Sequence, residues 1–177
     1  MNTNKQKLHE LTRNREEYVK NVEEHQYLTF LLSGEVFAIE VLKVKEIIGV
    51  RLITPVPSMP SYILGVINVR GNVIPVVSLT NRFSLEPQEA THKTCIIIIS
   101  SIIEGDATDI GIVVDMVNQV YDILPNNIES TPMFGSSLRK DFIQKIGKVN
   151  GKFISILDMD GISNMDEISK TNDKQSI

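Results

Sequence analysis

Hydrophobic positions along this chain come in short runs broken by turn residues. Tyr27-Leu28-Thr29-Phe30-Leu31-Leu32 predicts a strand, Ser33-Gly34 a turn, and Val36 to Val41 the returning strand. Leu42 to Gly49 predicts a helical turn running into a strand, and Thr54-Pro55-Val56-Pro57-Ser58-Met59-Pro60 an extended loop, since closely spaced prolines forbid helix and ladder pairing. A hairpin follows over Gly65 to Leu79, with Gly71-Asn72 read as a type II′ turn, because glycine suits a first central position that needs φ > 0. Pro75 in its second strand predicts an edge position or a bulge. After the polar connector Glu86 to Lys93, the run Cys95 to Ser100 is nearly all isoleucine and reads as a strand buried on both faces. Ile102-Ile103 leads to the turn Glu104-Gly105-Asp106. Thr108–Asp115 and Val117–Ile123 are further strands, and Ile143–Val149 with Lys152–Asp158 makes a last hairpin. Pro125 to Arg139 is expected to hold short helical turns. Lys5 to Glu24 carries only a partial helical stripe of Leu8, Leu11, Tyr18, Val19 and Val22.

About ten short strands in two groups of about five indicate barrels or sandwiches, not βαβ units. The halves also align with each other. Val69-Arg70-Gly71-Asn72-Val73-Ile74 matches Val149-Asn150-Gly151-Lys152-Phe153-Ile154, and Phe37 to Val41 loosely matches Ile110 to Val114. This predicts a duplicated five-stranded unit. Each unit is too small to bury much surface alone, so the two share an apolar seam. The expected organisation is an extension over 1–24, helical or disordered, a body over 25–163 with halves 25–90 and 91–163, and a tail over 164–177.

At 177 residues and 42% apolar content, the chain is long enough and apolar enough for a packed core. A net charge of −4 with scattered basic residues argues against nucleic acid as a partner. The charged N-terminal stretch lacks the apolar core of a secretion signal, and no run of apolar residues is long enough to span a membrane. The single cysteine, Cys95, reads as a buried core thiol, and a cytoplasmic location is expected.

No catalytic, cofactor or metal site emerges. His9, His25 and His92 lie far apart in polar segments and read as solvated residues. Asp158-Met159-Asp160-Gly161 lacks calcium-loop spacing and reads as a strand end with capping aspartates. Three polar positions stand out. Arg70 is either a solvated turn arginine or an interface anchor, a role in which arginine is enriched. Glu46 is either a solvated carboxylate or an ion-pair partner that orients Arg70. Asp115, between apolar residues, is either a strand-end aspartate or a site residue. Val44, Ile47, Val66, Val113 and Val117 are either core or the lining of a groove between halves.

Four segments carry a resemblance. Gln26 to Phe30, Leu42 to Ile47, Gly65 to Val76 and Gly111 to Asp115 resemble the CheW family of chemotaxis coupling proteins. The run Gly-Val-x-Asn-x-Arg-Gly-x-x-x-Pro-Val is the most specific piece, and the resemblance spans about Glu24 to Asp160. It implies a mainly β fold of two SH3-like five-stranded barrels around a shared hydrophobic core, with a short N-terminal helix and minor helical turns. It implies a noncatalytic adaptor without cofactors, monomeric when free and recruited to membrane-bound receptor arrays. The implied partners are the regulatory domain of the histidine kinase CheA and the cytoplasmic tip of methyl-accepting chemoreceptors. Glu46 and Arg70 match positions tied to receptor and kinase coupling. Gly65, Asn68 and Gly71 match the motif's structural frame, and Asp115 a common second-half aspartate. The family run usually continues with an acidic residue and an arginine, where Ser78 and Thr80 stand here. No receiver-like or kinase segment accompanies the run. A related adaptor serving another receptor–kinase pathway, in motility or development, is the second reading. An unrecognised β-barrel enzyme is the third.

Overall fold

A computed structural model describes residues 2–23, 25–130 and 142–162. Helix α1 (Asn2–Glu23) precedes eleven strands: β1 (Gln26–Leu32), β2 (Glu35–Glu40), β3 (Val44–Gly49), β4 (Ile63–Val69), β5 (Asn72–Ser78), β6 (Cys95–Ile103), β7 (Asp106–Val114), β8 (Met116–Asp122), β9 (Ile128–Ser130), β10 (Ile143–Val149) and β11 (Lys152–Leu157). Two short helices, α2 (Leu79–Arg82) and α3 (Met159–Ile162), and two 3-10 turns complete the described chain. The N-terminal extension is thus a helix of 22 residues, not a short one. Its residues 5–17 are all exposed. Expectations for Thr131 to Arg139 and for the tail beyond Ile162 lie outside the described residues.

The strands form a six-stranded sheet, β8-β1-β2-β11-β10-β9, and a five-stranded sheet, β3-β6-β7-β5-β4. Together they are the two SH3-like subdomains of a mainly β fold. The two sheets interlock across the expected halves. The β4–β5 hairpin of the first half joins β7 of the second, through the parallel pairing Val76↔Gly111 to Ser78↔Val113. The β10–β11 hairpin of the second half joins β2 of the first, through Ser155↔Phe37 and Ile156↔Ala38. The boundary between sheets is therefore not the boundary between sequence halves.

The core has three parts. Between the sheets, Phe30, Leu32, Phe37 and Ile39 of one meet Ile97, Ile99, Ile112 and Val114 of the other. A second cluster, Ile67, Val69, Ile74, Val76, Ile96 and Ile98, fills the five-stranded unit. A third, Tyr27, Ala38, Ile123, Ile154 and Ile156, fills the six-stranded one. Strand β6 explains the arrangement. Its odd isoleucines face the shared core and its even ones the unit's own interior, so the strand is buried on both faces as its run predicts. Cys95, at the strand's start, is only half-buried, because it ends the run where the pairing with β3 stops at Gly49.

Four hairpin tips share one backbone solution. Ser33-Gly34, Arg70-Gly71, Glu104-Gly105 and Asn150-Gly151 all place two successive residues at φ between 50° and 88°. Positive φ at both central residues is the type I′ turn, whose twist matches that of the flanking strands. The type II′ expectation at Gly71-Asn72 is therefore corrected. The turn is centred one residue earlier, on Arg70-Gly71, and the Asn68 Oδ1 accepts the Gly71 N–H at 2.9 Å. Pro75 stands just ahead of the β7 pairing, where β5 has a neighbour on one side only. Leu79 begins α2 instead of ending a strand. Ser78 is its N-cap, its Oγ accepting the Asn81 N–H at 3.1 Å.

Candidate functional site

Glu46 and Arg70 come from opposite edges of the five-stranded sheet. Glu46 lies on edge strand β3, and Arg70 sits in the turn that follows the other edge strand, β4. The sheet curls until they meet. Arg70 Nη1 donates to Glu46 Oε1 and Nη2 to Oε2, both at 2.9 Å. This fork-to-fork pair fixes the plane of the guanidinium. It also closes a curl that backbone pairing leaves open, since β3 and β4 share no ladder. The Arg70 side chain remains 78% exposed while that of Glu46 is 25% exposed. The carboxylate is thus set into the surface, and the arginine lies over it facing solvent. In so exposed a pair the contribution to stability is small, about 0.2–1 kcal/mol. Its consequence is orientation.

The surrounding cleft is lined by Lys45, Glu46, Val69, Arg70, Asn72, Ile74, Ile98 and Asp109. A second ion pair, Lys45 to Asp109 at 2.6 Å, borders it. Behind Arg70, the chain after β3 runs alongside β4. Thr54 and Val66 exchange two backbone hydrogen bonds at 2.9 Å, and Arg51 Nη1 donates to the Asn68 carbonyl at 3.4 Å. Gly65 makes this approach possible. At φ +141°, a Cβ there would stand 2.1 Å from the Thr54 carbonyl oxygen.

The other sequence candidates occupy varied places. Ile47 is exposed on β3. Val66 is half-buried on β4 beside Thr54. Val44 and Val117 are partly buried against the shared core, and Val113 against the interior of the five-stranded unit. Asn68 and Gly65 frame the turn and the close approach. Asp115 sits apart from Arg70's hairpin in its contacts. Its Oδ2 accepts the Ser33 N–H at 2.7 Å, and its own N–H donates to the Leu31 carbonyl at 3.0 Å. It holds the β1–β2 tip, where the Ser33 hydroxyl also donates to the Glu86 carbonyl.

Two features escape sequence reasoning. Arg82 of α2 lays its guanidinium over the rings of Tyr62, at 4.3 Å, and Phe142, at 4.7 Å, linking the sheets. Asp160 of α3 accepts from Lys43 Nζ at 2.9 Å, Ser101 Oγ at 3.0 Å and the Ile102 N–H at 3.1 Å. Burial pushes its carboxyl pKa up, but Lys43 and these donors together hold it below the ordinary carboxylate range. Burial raises the Cys95 thiol, against a smaller lowering by the Val117 backbone, and raises Tyr27 with help from nearby Glu40. Among the described residues no group of three or more His, Cys, Asp or Glu is placed to hold a metal ion. Among them, too, no helix is long and apolar enough to cross a membrane.

The fold and this site define a class: a β scaffold of two SH3-like units with an oriented, solvent-facing arginine. Residues 26–167 match the CheW-like domain family. The chain is 35% identical over 138 residues to the chemotaxis protein CheW of Bacillus subtilis, covering 76% of this chain and 84% of that one. It is 28% identical over 137 residues to the Rhizobium meliloti protein of that name, covering 77% and 86%. The crystal structure of the scaffolding protein TtCheW from Thermoanaerobacter tengcongensis superposes with a TM-score of 0.69 at 31% identity, covering 77% of this chain and 85% of that one. The chain belongs to the CheW-like family, an adaptor family of bacterial chemotaxis.

Proposed function

We propose that this chain is a chemotaxis adaptor that works by docking alone, with Arg70 as the anchor of its coupling surface. Coupling of chemoreceptors to the histidine kinase CheA is the function that family membership carries. The finer reading is ours. The exposed face around Arg70 and Glu46 engages the helical cytoplasmic tip of a methyl-accepting chemoreceptor by helix-in-groove packing, and Ile47, exposed on the other face of β3, flanks it. A separate apolar rim meets the SH3-like regulatory domain of the kinase. The adaptor is monomeric when free and dilute, stays in the cytoplasm and is recruited to receptor arrays. Gly65 and Asn68 shape the Arg70 hairpin, while Val44 and Val117 pack against the core between the sheets, Val113 against the interior of the five-stranded unit, Val66 lies on β4 beside Thr54, and Asp115 braces the separate β1–β2 tip.

One observation carries this reading. A bidentate pair holds an arginine in place while leaving most of its side chain in water. A pre-ordered arginine loses little side-chain entropy when a partner covers it. Signal then passes as a coupling free energy between two docking events. The test is Arg70→Ala in a pull-down with receptor and kinase fragments, separately and together. The variant should keep its thermal melt and lose ternary assembly. Wild-type assembly and kinase control in the variant would refute the role of Arg70. A second pathway remains a distinct reading, separable by whether the neighbouring genes encode chemoreceptors.

A further inference from the structure

A cavity of about 460 Å³ opens on the six-stranded sheet, whereas the Arg70 cleft lies on the five-stranded one. Tyr27, near the start of β1, and Glu40, at the end of β2, both line it and stand directly opposite each other across the ladder. Tyr27 belongs to the core of its unit and is only 4% exposed. A tyrosine buried so deeply normally gives its hydroxyl a partner. Here Tyr27 lines the cavity, its hydroxyl is not sealed away, and no described residue hydrogen-bonds to it. Burial and the Glu40 charge raise its pKa, so it stays protonated, a donor beside a carboxylate. The rest of the wall repeats that mixture. Half-buried His25 and Lys145 bring further donors, and Ser130, directly across the β9–β10 ladder from Lys145, brings a hydroxyl. Among the described residues neither cation nor Glu40 takes part in an ion pair. Leu42 and Ile128 add an apolar flank.

Such a wall must be answered in both signs at once. An anion alone would face the Glu40 carboxylate, and a cation alone the Lys145 ammonium, each a like-charge approach that a partly desolvated cleft penalises. A molecule with both charges on neighbouring atoms meets a donor and an acceptor side by side. Cross-strand partners supply that spacing, with Cβ atoms about 4.5–5.5 Å apart. The volume suits a small molecule, whose pockets run about 300–1,000 Å³. We propose that the cavity binds a free, zwitterionic α-amino acid with an aliphatic side chain. Tyr27, His25 and Lys145 hold its carboxylate, Glu40 its ammonium, and Leu42 and Ile128 its side chain. Bound there, the ligand ties the ends of β1 and β2 to the β9–β10 edge and stabilises the folded chain by mass action. The cavity shares no lining residue with the Arg70 cleft, so the site is independent of the partner assigned there.

Amide proton–nitrogen correlation spectra of the full, isotope-labelled chain, titrated with L-leucine, test the site. Shifts should appear at Tyr27, Glu40 and Ser130 and saturate with a dissociation constant of about 1 mM, as befits a small ligand in an open cavity. Two analogues each lack one charge: leucinol has no carboxylate and isocaproate no amine. Each should bind at least about tenfold more weakly, as loss of a hydrogen bond to a charged group implies. Tyr27→Phe keeps the ring in the core and should weaken L-leucine about tenfold, as should Lys145→Met and Glu40→Gln. The same spectra show whether each variant is folded, and Lys145→Met, on a half-buried side chain, decides the matter if Tyr27→Phe fails to fold. Absence of saturable shifts in the wild-type chain would overturn the proposal. So would either analogue binding as tightly as L-leucine, or folded variants that bind it as the wild-type chain does.

Discussion

Replacing Gly65 by alanine should be among the most damaging single-methyl changes this fold can suffer. The added Cβ would stand 2.1 Å from the Thr54 carbonyl oxygen and 2.7 Å from its carbon, both backbone atoms that cannot rotate away. The backbone at φ +141° is also one that a side chain rarely adopts. Strain of that kind costs about 1–3 kcal/mol. Relieving the clash requires the 50s segment to lift from β4, which breaks the two Thr54–Val66 hydrogen bonds. Each contributes about 0.5–1.5 kcal/mol net. The sum is about 2–6 kcal/mol, centred near 4, against a total stability of about 5–15 kcal/mol for a domain. Equilibrium urea unfolding reads this directly. With a slope of about 2 kcal/mol per molar urea, the midpoint should fall by about 2 M. Gly71→Ala is the matched control, since φ is +87° there but nothing lies within 4 Å of the added Cβ. It should cost only about 1 kcal/mol. Equal midpoints for the two variants would show that the close approach at Thr54 does not constrain the fold.

Three further outcomes follow from local contacts. Asp115→Ala strips the acceptor from the Ser33 N–H and should cost about 1–2 kcal/mol in thermal unfolding; an unchanged melt would remove Asp115 from the bracing of the β1–β2 tip. Asp160 has a depressed pKa in the folded state, so its stabilising effect is full above its unfolded pKa, near 4, and is lost as pH falls through the lower folded value. Unfolding free energy should therefore drop in acid, and Asp160→Asn should flatten that part of the curve; a parallel curve would exclude the Lys43 hub as its source. Burial raises the Cys95 thiol, so a disulfide reagent near pH 8 should label it slowly in the folded chain and rapidly in urea; equal rates would contradict its packing against the shared core.

Much of this fold is legible in the sequence because its strands are short and punctuated. The isoleucine run of β6 declares burial on both faces, and the Arg-Gly and Asn-Gly pairs mark matching tips. Periodicity carries no record of which sheet a hairpin joins, so the exchange of β4–β5 and β10–β11 between halves stays hidden. Turn type fails for a related reason. Gly71 announces positive φ, but only the Asn68 contact and strand register show that Arg70 shares it. At the site, residue types alone suggest that Glu46 could orient Arg70, and the curl of the sheet supplies the distance. Arg82 and Asp160 act on residues far along the chain, so no local spacing reveals them; Asp115 stands out by type, but its partner Ser33 lies too far along the chain for spacing to show.

The exchange of hairpins between halves has a consequence for biosynthesis. The six-stranded sheet lacks its central strand, β11, until nearly the whole body has been made. A ribosome that has released only the first half exposes β1 and β2 without the neighbour that fills their inner face. Such long-range closure is slow and favours late, concerted folding. Two halves joined in this manner can no longer part: a gene cut at the connector would yield two fragments, each holding a piece of the other's wall.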